Sequence, residues 1–316
     1  MKNLFRTIII IYFIFLIGCQ KTEVNNTDDV INPLPQNFHW IPLGLDSNSI
    51  STLYQTADGT LLAATNYGLF ISADSGSTWT QNNNFSFGII TCFADYSADN
   101  LIAGTSNQGV FISSDNGSSW SNIGLSDINI TAFAVNGNVI FAATRSHGIF
   151  KYNSTEWQIA GSDISTKSFF SLLITQDEKI YAGGVGIYRS DDFGQNWHLK
   201  NIGLGNWAVL SLITDNSGTV AAGTDNGGFF ITKNNGESWK SCNNGLTNIE
   251  IISLAINVHR QIFAGTWGGG VFYSIDYGQN WTSINSGLNN KEVQSLFINS
   301  EDIIYAGTFK GIFKGE

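Results

Sequence analysis

Cysteine is scarce in this chain: 316 residues contain three, at positions 19, 92 and 242. Cys92 and Cys242 fall in repeats that are not neighbours, which excludes a disulfide framework and leaves the fold to its core. Histidine is nearly as rare, with four in all, and neither these side chains nor any run of aspartates has the spacing of a zinc or calcium site. No metal and no other cofactor is expected. No glycine-rich segment follows a strand and opens a helix, so Gly183-Gly184-Val185-Gly186 is a turn and not a nucleotide loop. Basic residues number 15 against 25 acids, for a formal charge of −10 that becomes −12 once Lys2 and Arg6 are left out. That balance argues against nucleic acid as a partner. Helical periodicity is missing after residue 20, whereas β-type runs bounded by Gly, Asn and Asp are dense, so the chain is all-β.

What is present is a repeat. Seven short apolar runs end in a small pair (Ala63-Ala64, Ala103-Gly104, Ala142-Ala143, Ala182-Gly183, Ala222-Gly223, Ala264-Gly265, Ala306-Gly307), and each is followed by a turn and a second apolar run. Five copies continue into S/T-x-x-x-G-x-x-W, at 72–79, 113–120, 190–197, 232–239 and 274–281, and a decayed sixth ends at Trp157. The tryptophan series Trp40, Trp79, Trp120, Trp157, Trp197, Trp239, Trp281 has a period of roughly 40 residues, the length of one four-stranded propeller blade. The small pairs suit strands passing close to a neighbouring blade, and Phe70, Phe111, Phe150, Tyr188, Phe230, Phe272 and Phe313 fill the wider outer part of each wedge. The seventh unit stops at Glu316 without a tryptophan, and residues 38–45 match the segment that follows the motif tryptophans. A single seven-bladed β-propeller over 38–316 is therefore expected, with the strand around Trp40 completing the last blade. The template blade places its strands at 50–55, 61–65 and 68–72, with a fourth from Thr78.

The five motif copies resemble the Asp-box, also called the bacterial neuraminidase repeat. Asp74, Asp115, Asp192 and Asp276 accept backbone hydrogen bonds in such a turn, Gly76, Gly117, Gly194, Gly236 and Gly278 supply its backbone freedom, and Trp79, Trp120, Trp197, Trp239 and Trp281 pack over the hairpin. Asn234 stands where the fifth acid belongs, and residues 153–157 have lost both Asp and Gly, so that turn is shorter. Acids that tolerate such replacement are structural. In families with this repeat the motif lies on the rim away from the ligand-binding face.

The first 19 residues are similar to a secretion signal: Lys2 and Arg6, an apolar stretch over 7–17, then Leu16-Ile17-Gly18-Cys19. The ending resembles the bacterial lipobox, which implies lipidation of Cys19 and attachment to a membrane. Residues 20–37 form a flexible polar tether. Gln20 beside Cys19 implies an outer-membrane lipoprotein, and Gln20-Lys21-Thr22-Glu23 is similar to the surface-export signal of Bacteroidetes lipoproteins, although it lacks the second acid; the chain is expected to face the periplasm or the cell surface.

Propeller topology puts two sets of loops on the face opposite the Asp-boxes. Turns between second and third strands carry Asn66-Tyr67, Asn107-Gln108, Arg145-Ser146-His147, Asp225-Asn226, Trp267 and Phe309-Lys310; the links between blades carry Asp46, the segment 82–87, Asp127, the segment 163–167, Asn206-Trp207, Glu250 and Lys291-Glu292. Tyr67, Arg145, His147, Trp207, Trp267 and Phe309 are the binding candidates, since flat rings with amides and a few charges make a platform for a glycan or a peptide segment. Trp207 and Trp267 stand outside the motif series. A sialidase needs three convergent arginines, and after residue 19 there are only Arg145, Arg189 and Arg260, the last two on the wrong rim. A xyloglucanase-like glycosidase uses two carboxylates across a cleft between two propellers; Asp127 and Asp225 are candidates, but no spacing singles them out. Single propellers of this type resemble sortilin and the photosystem assembly factors, which implies a non-catalytic, monomeric binding module.

Overall fold

A computed structural model describes residues 33–316 apart from 98, 99, 206 and 216. The signal, Cys19 and most of the tether lie outside the described residues. The body consists of seven four-stranded antiparallel sheets, the blades of a closed propeller. Blade 1 is Ile50–Gln55, Leu61–Thr65, Gly68–Ser72 and Thr80–Gln81, and blades 2 to 6 repeat the same order. Blade 7 joins Val293–Ile298, Ile304–Thr308 and Gly311–Gly315 to Trp40–Pro42. Trp40 lies opposite Gly315, Ile41 opposite Lys314 and Pro42 opposite Phe313, while His39 and Glu316 exchange both backbone hydrogen bonds. The two ends of the chain therefore share one ladder. Residues before 38 are held as well: the Leu34 amide donates to the Tyr273 hydroxyl at 2.9 Å.

Neighbouring blades meet through their small residues. All seven second strands are buried along almost their whole length. A Cβ added at Gly104, Gly223, Gly265 or Gly307 would lie 2.5–2.7 Å from Ile130, Ile251, Val293 or Ile50 of the next blade. Those glycines are seats for the first aliphatic side chain of each successor, so the small pairs are packing devices. Every first strand has a register shift after its first residue, a bulge that in blades 1 to 3 aims a hydroxyl at the next blade. Ser51, Thr91 and Thr131 donate to the carbonyls of Ile90, Ile130 and Phe169 at 2.6, 2.6 and 2.7 Å.

The motif tryptophans fasten blades to one another and not, as a rule, their own hairpins. Indole N–H groups of Trp79, Trp157, Trp197, Trp239, Trp281 and Trp40 donate at 2.6–3.0 Å to carbonyls on the outer edge of the preceding blade, at Leu43, Ile123, Ala160, Lys200, Cys242 and Ile284. Trp120 alone bonds its own turn, at Gly117. At that joint Phe85 occupies the interface, with its ring 5.7 Å from Trp120 and 5.5 Å from Phe111, and the Asn82 amide donates to the Gly117 carbonyl at 2.7 Å. The segment 82–87 is thus in part a packing insert: Asn82 and Phe85 are buried, which removes both from the ligand-facing loops.

The fourth strand of blade 1 starts at Thr80, not at Thr78. The Thr78 amide is already donated to Asp74, so the turn keeps two residues that would otherwise extend the strand.

Candidate functional site

The two rims of the ring have opposite chemistry. On one, each Asp-box is a closed hydrogen-bond circuit. Ser72 Oγ donates to Asp74 Oδ1 and accepts the Gly76 amide, and Asp74 accepts both the amide and the hydroxyl of Thr78, all at 2.7–2.8 Å. The same circuit recurs around Asp115, Asp192 and Asp276. Asn234 reproduces it with its amide, donating to Ser238 Oγ and accepting the Ser238 amide. Motif glycines have positive φ, and a Cβ at Gly76, Gly117, Gly194 or Gly278 would meet Leu43, Leu62, Phe141 or Phe229 at 2.4–2.9 Å. In the third blade Asn153 Oδ1 accepts the amides of Thr155 and Glu156 in a shorter turn, and Trp157 pairs directly with Tyr152.

The hydrogen bonds from Thr78 hold the Asp74 carboxyl at about 2, and those from Asn196 hold Asp192 at about 2, below the ordinary carboxylate range. A depressed folded-state pKa adds stability above the unfolded value near 4, and that contribution is lost as pH falls from about 4 through 2. The double variant Asp74→Asn, Asp192→Asn, patterned on Asn234, is expected to fold at neutral pH and to lose less melting temperature than the parent between pH 5 and pH 2. Thermal melts across that range check it; parallel curves for both proteins would refute the circuit's role.

Arg189 belongs to this rim. Its guanidinium bonds Asp191 at 2.7 Å, Glu237 at 3.0 Å and the Asn235 carbonyl, tying blade 4 to blade 5. A cavity of about 270 Å³ on the same rim is lined by Thr175, Gln176, Asp177, Thr214, Ser217 and Gly218. Its acid is used locally, Asp177 pairing with Lys179 and accepting from Thr175.

The opposite rim is a constant scaffold carrying variable side chains. At the end of the second strand a buried threonine (Thr65, Thr105, Thr144, Thr224, Thr266 or Thr308) donates to the carbonyl that closes the turn. Six of the seven turns are zipped to the incoming link by a backbone bond, as from Asn66 to Ser49, Arg145 to Asn129, Asp225 to Ala208, Trp267 to Glu250 and Phe309 to Glu292. A second row runs to the outgoing link, from Gly148 to Lys167, Gly186 to Trp207, Gly228 to Ile249 and Gly268 to Lys291. Backbone bonds therefore tie turns to links around most of this rim, and the turn tips display whatever residue the sequence supplies.

Of nine tryptophans, the seven of the motif series all donate their indole N–H within the ring. The other two differ: Trp207 is 41 % exposed and Trp267 42 %, and neither indole N–H has a partner among the described residues. Phe309 and Tyr67 are exposed beside them in ring order, and the Phe309 ring lies 6.3 Å from that of Trp267, edge to face. Trp207 is seated on glycine: a Cβ on Gly227 would lie 2.5 Å from its indole and one on Gly205 3.2 Å. The arc therefore runs over blades 5, 6, 7 and 1. Exposed Val185 and Ile249 extend it; neither stood out in the sequence, although an aliphatic residue inside a Gly- and Asn-rich link is a signal that was available. Arg145 and His147 lie on blade 3, outside the arc, with His147 Nδ1 3.0 Å from Ser146 Oγ. Asp127 is exposed on the link into blade 3, and Asp225 accepts the Ala208 amide at the tip of blade 5. Among the described residues no contact brings these two carboxylates together.

Comparison with known proteins agrees with the turns and the ring. The BNR/Asp-box repeat model matches residues 188–199. This chain is a seven-bladed propeller with Asp-box turns. The propeller is similar to the extracellular domain of a putative one-component system, BT4673, from B. thetaiotaomicron, with 21% identity, a TM-score of 0.73, and coverage of 88% of this chain and 40% of that one. It is also similar to YCF48 in complex with a D1 peptide, at 16% identity and TM-score 0.69 over 90% and 97% of the two chains. A third likeness is to the GH74 xyloglucanase of Xanthomonas campestris, at 13% identity and TM-score 0.67 over 88% and 53%. The propeller spans about 40% of the BT4673 domain, and at these identities the likeness is one of fold. No curated protein matches the chain. Among the described residues no helix is long and apolar enough to cross a membrane, and no three His, Cys, Asp or Glu side chains group as a metal site.

Proposed function

We propose that this propeller is a non-catalytic binding module, anchored outside the cytoplasm through a lipid on Cys19, whose turn-and-link face takes a glycan or a protein segment. The contrast among the tryptophans carries the reading: seven indoles are consumed by the fold, and two stand half exposed with unused N–H groups on that face. Exposed aromatic side chains of this kind are the anchors of binding surfaces, because a ring contributes large contact area at low entropic cost. Among the described residues no contact joins Asp127, on the link into blade 3, to Asp225, at the tip of blade 5, so binding is favoured over hydrolysis by that pair. The extracellular setting of the BT4673 domain fits the location read from the lipobox.

The test is capture. With the chain from Lys21 onward as bait, cross-linked partners and bound glycans from the cell envelope are expected to be lost on Trp207→Ala plus Trp267→Ala, at an unchanged melting temperature. Retention of every captured partner by the double variant would remove the face from consideration.

A further inference from the structure

Resting on that reading, we infer the ligand class: an uncharged polysaccharide chain laid across the aromatic arc from Trp207 through Trp267 and Phe309 to Tyr67. Three observations lead there. The first is the succession of exposed aromatic side chains in ring order, Trp207 on the link into blade 5 and Trp267, Phe309 and Tyr67 on the turns of blades 6, 7 and 1, with Trp267 and Phe309 in edge-to-face contact at 6.3 Å; an exposed ring face stacks on the apolar face of a sugar.

The second is the state of the polar groups beside those rings. Glu250, Glu292, Lys291 and Lys310 have side chains without a hydrogen-bond or ion-pair partner among the described residues, although Trp267 N–H bonds the Glu250 carbonyl and Phe309 N–H bonds the Glu292 carbonyl. Acceptors and donors thus both line the arc, with exposed Asp46 on the link into blade 1 and Asp225 at the tip of blade 5 adding to the acceptors and the indole N–H groups to the donors. A cationic ligand is opposed by the lysines and an anionic one by the glutamates. A hydroxyl group both donates and accepts and carries no charge, so a chain of hydroxyls satisfies both kinds.

The third concerns the backbone. Strand addition by a peptide needs a free row of N–H and C=O groups, and on this rim both rows run between turns and links. Recognition is left to side chains.

The chain from Lys21 onward keeps the whole closed ring and serves as the test protein. Neutral probes are cello-, xylo-, manno- and maltohexaose and their parent polysaccharides; polygalacturonate, octalysine and octaglutamate are the charged controls. Binding is followed by protection of tryptophan fluorescence from acrylamide, which reaches the two exposed indoles preferentially. At least one neutral probe is expected to protect, with an affinity insensitive to salt between about 50 and 500 mM. Trp267→Ala and Phe309→Ala are each expected to weaken that binding roughly tenfold or more. Gly227→Ala, which introduces no left-handed backbone strain and would place a Cβ 2.5 Å from the Trp207 indole and 2.8 Å from Thr224 Oγ1, weakens it too by displacing the indole from its seat, in a protein that still unfolds cooperatively. Binding of only the charged probes, or of none, overturns the polysaccharide class. If envelope capture is still lost in the double tryptophan variant, the binding face stands and only its ligand class falls; if capture survives, both fall.

Discussion

Deletion of residues 34–42 is expected to abolish cooperative unfolding of the ring, an effect far larger than the loss of one three-residue strand. The deleted segment supplies the outer strand of blade 7, the exchange between His39 and Glu316, and the Leu34 to Tyr273 bond. It also supplies Trp40, 1 % exposed, with its indole bonded to Ile284 at 2.6 Å and Phe38 packed edge-on at 5.5 Å. Trp40→Ala alone is expected to cost roughly 3–5 kcal/mol as a core truncation, a fall in melting temperature of about 10 °C for a domain of this size. Deletion adds to this an open sheet edge and the loss of the joint between blades 6 and 7. Near-ultraviolet circular dichroism during heating checks both; a deleted form melting within a degree or two of the parent would show that the ring does not depend on its closure.

Gly287→Ala is the second large effect, and Gly59→Ala is its control. Both positions have positive φ, +79° at Gly287 and +89° at Gly59, so each substitution carries left-handed strain of about 1–2 kcal/mol. The surroundings differ. A Cβ at Gly59 meets nothing within 4 Å, whereas one at Gly287 lies 2.2 Å from the Trp40 carbonyl oxygen, and Ser286 at the same joint accepts the Trp40 amide. Backbone cannot rotate aside as a side chain does, so the Gly287 variant must separate blade 7 from blade 6. Gly203 and Gly245 hold the same relation to Trp239 and Trp281, at 2.1 and 2.2 Å. Thermal melts are expected to show a fall for Gly287→Ala at least twice that for Gly59→Ala; equal falls would mean that strain alone is at work and that the close approach can relax.

The ring itself was legible because its evidence is periodic. Seven small pairs, a tryptophan every blade and a seventh unit without one allow few other arrangements, and Trp40 fits the vacancy. The partner of each indole was not legible in the same way. Packing over its own hairpin and bonding across to the previous blade bury a tryptophan equally well, and only geometry separates Trp79, bonded to Leu43, from Trp120, bonded to Gly117. Phe85 illustrates the limit: in the sequence it is one aromatic residue in an Asn-rich link, and in space it fills the joint that displaces Trp120. On the opposite rim the turn tips could be enumerated from topology. Whether Trp207 and Trp267 packed between blades or faced solvent depended on the glycine seat beneath one and the short turn under the other. Local sequence encodes neither.

The route by which the chain joins the ring also sets how the protein presents itself. Leu34 docks on Tyr273, next to the start of an Asp-box, and the Trp40–Pro42 strand begins opposite Gly315, at that same end of blade 7. Both ends of the described chain therefore sit at the Asp-box pole, where His39 and Glu316 share one ladder, and the aromatic arc on the opposite rim is left clear of either terminus. A long polymer laid across that arc meets turns and links alone.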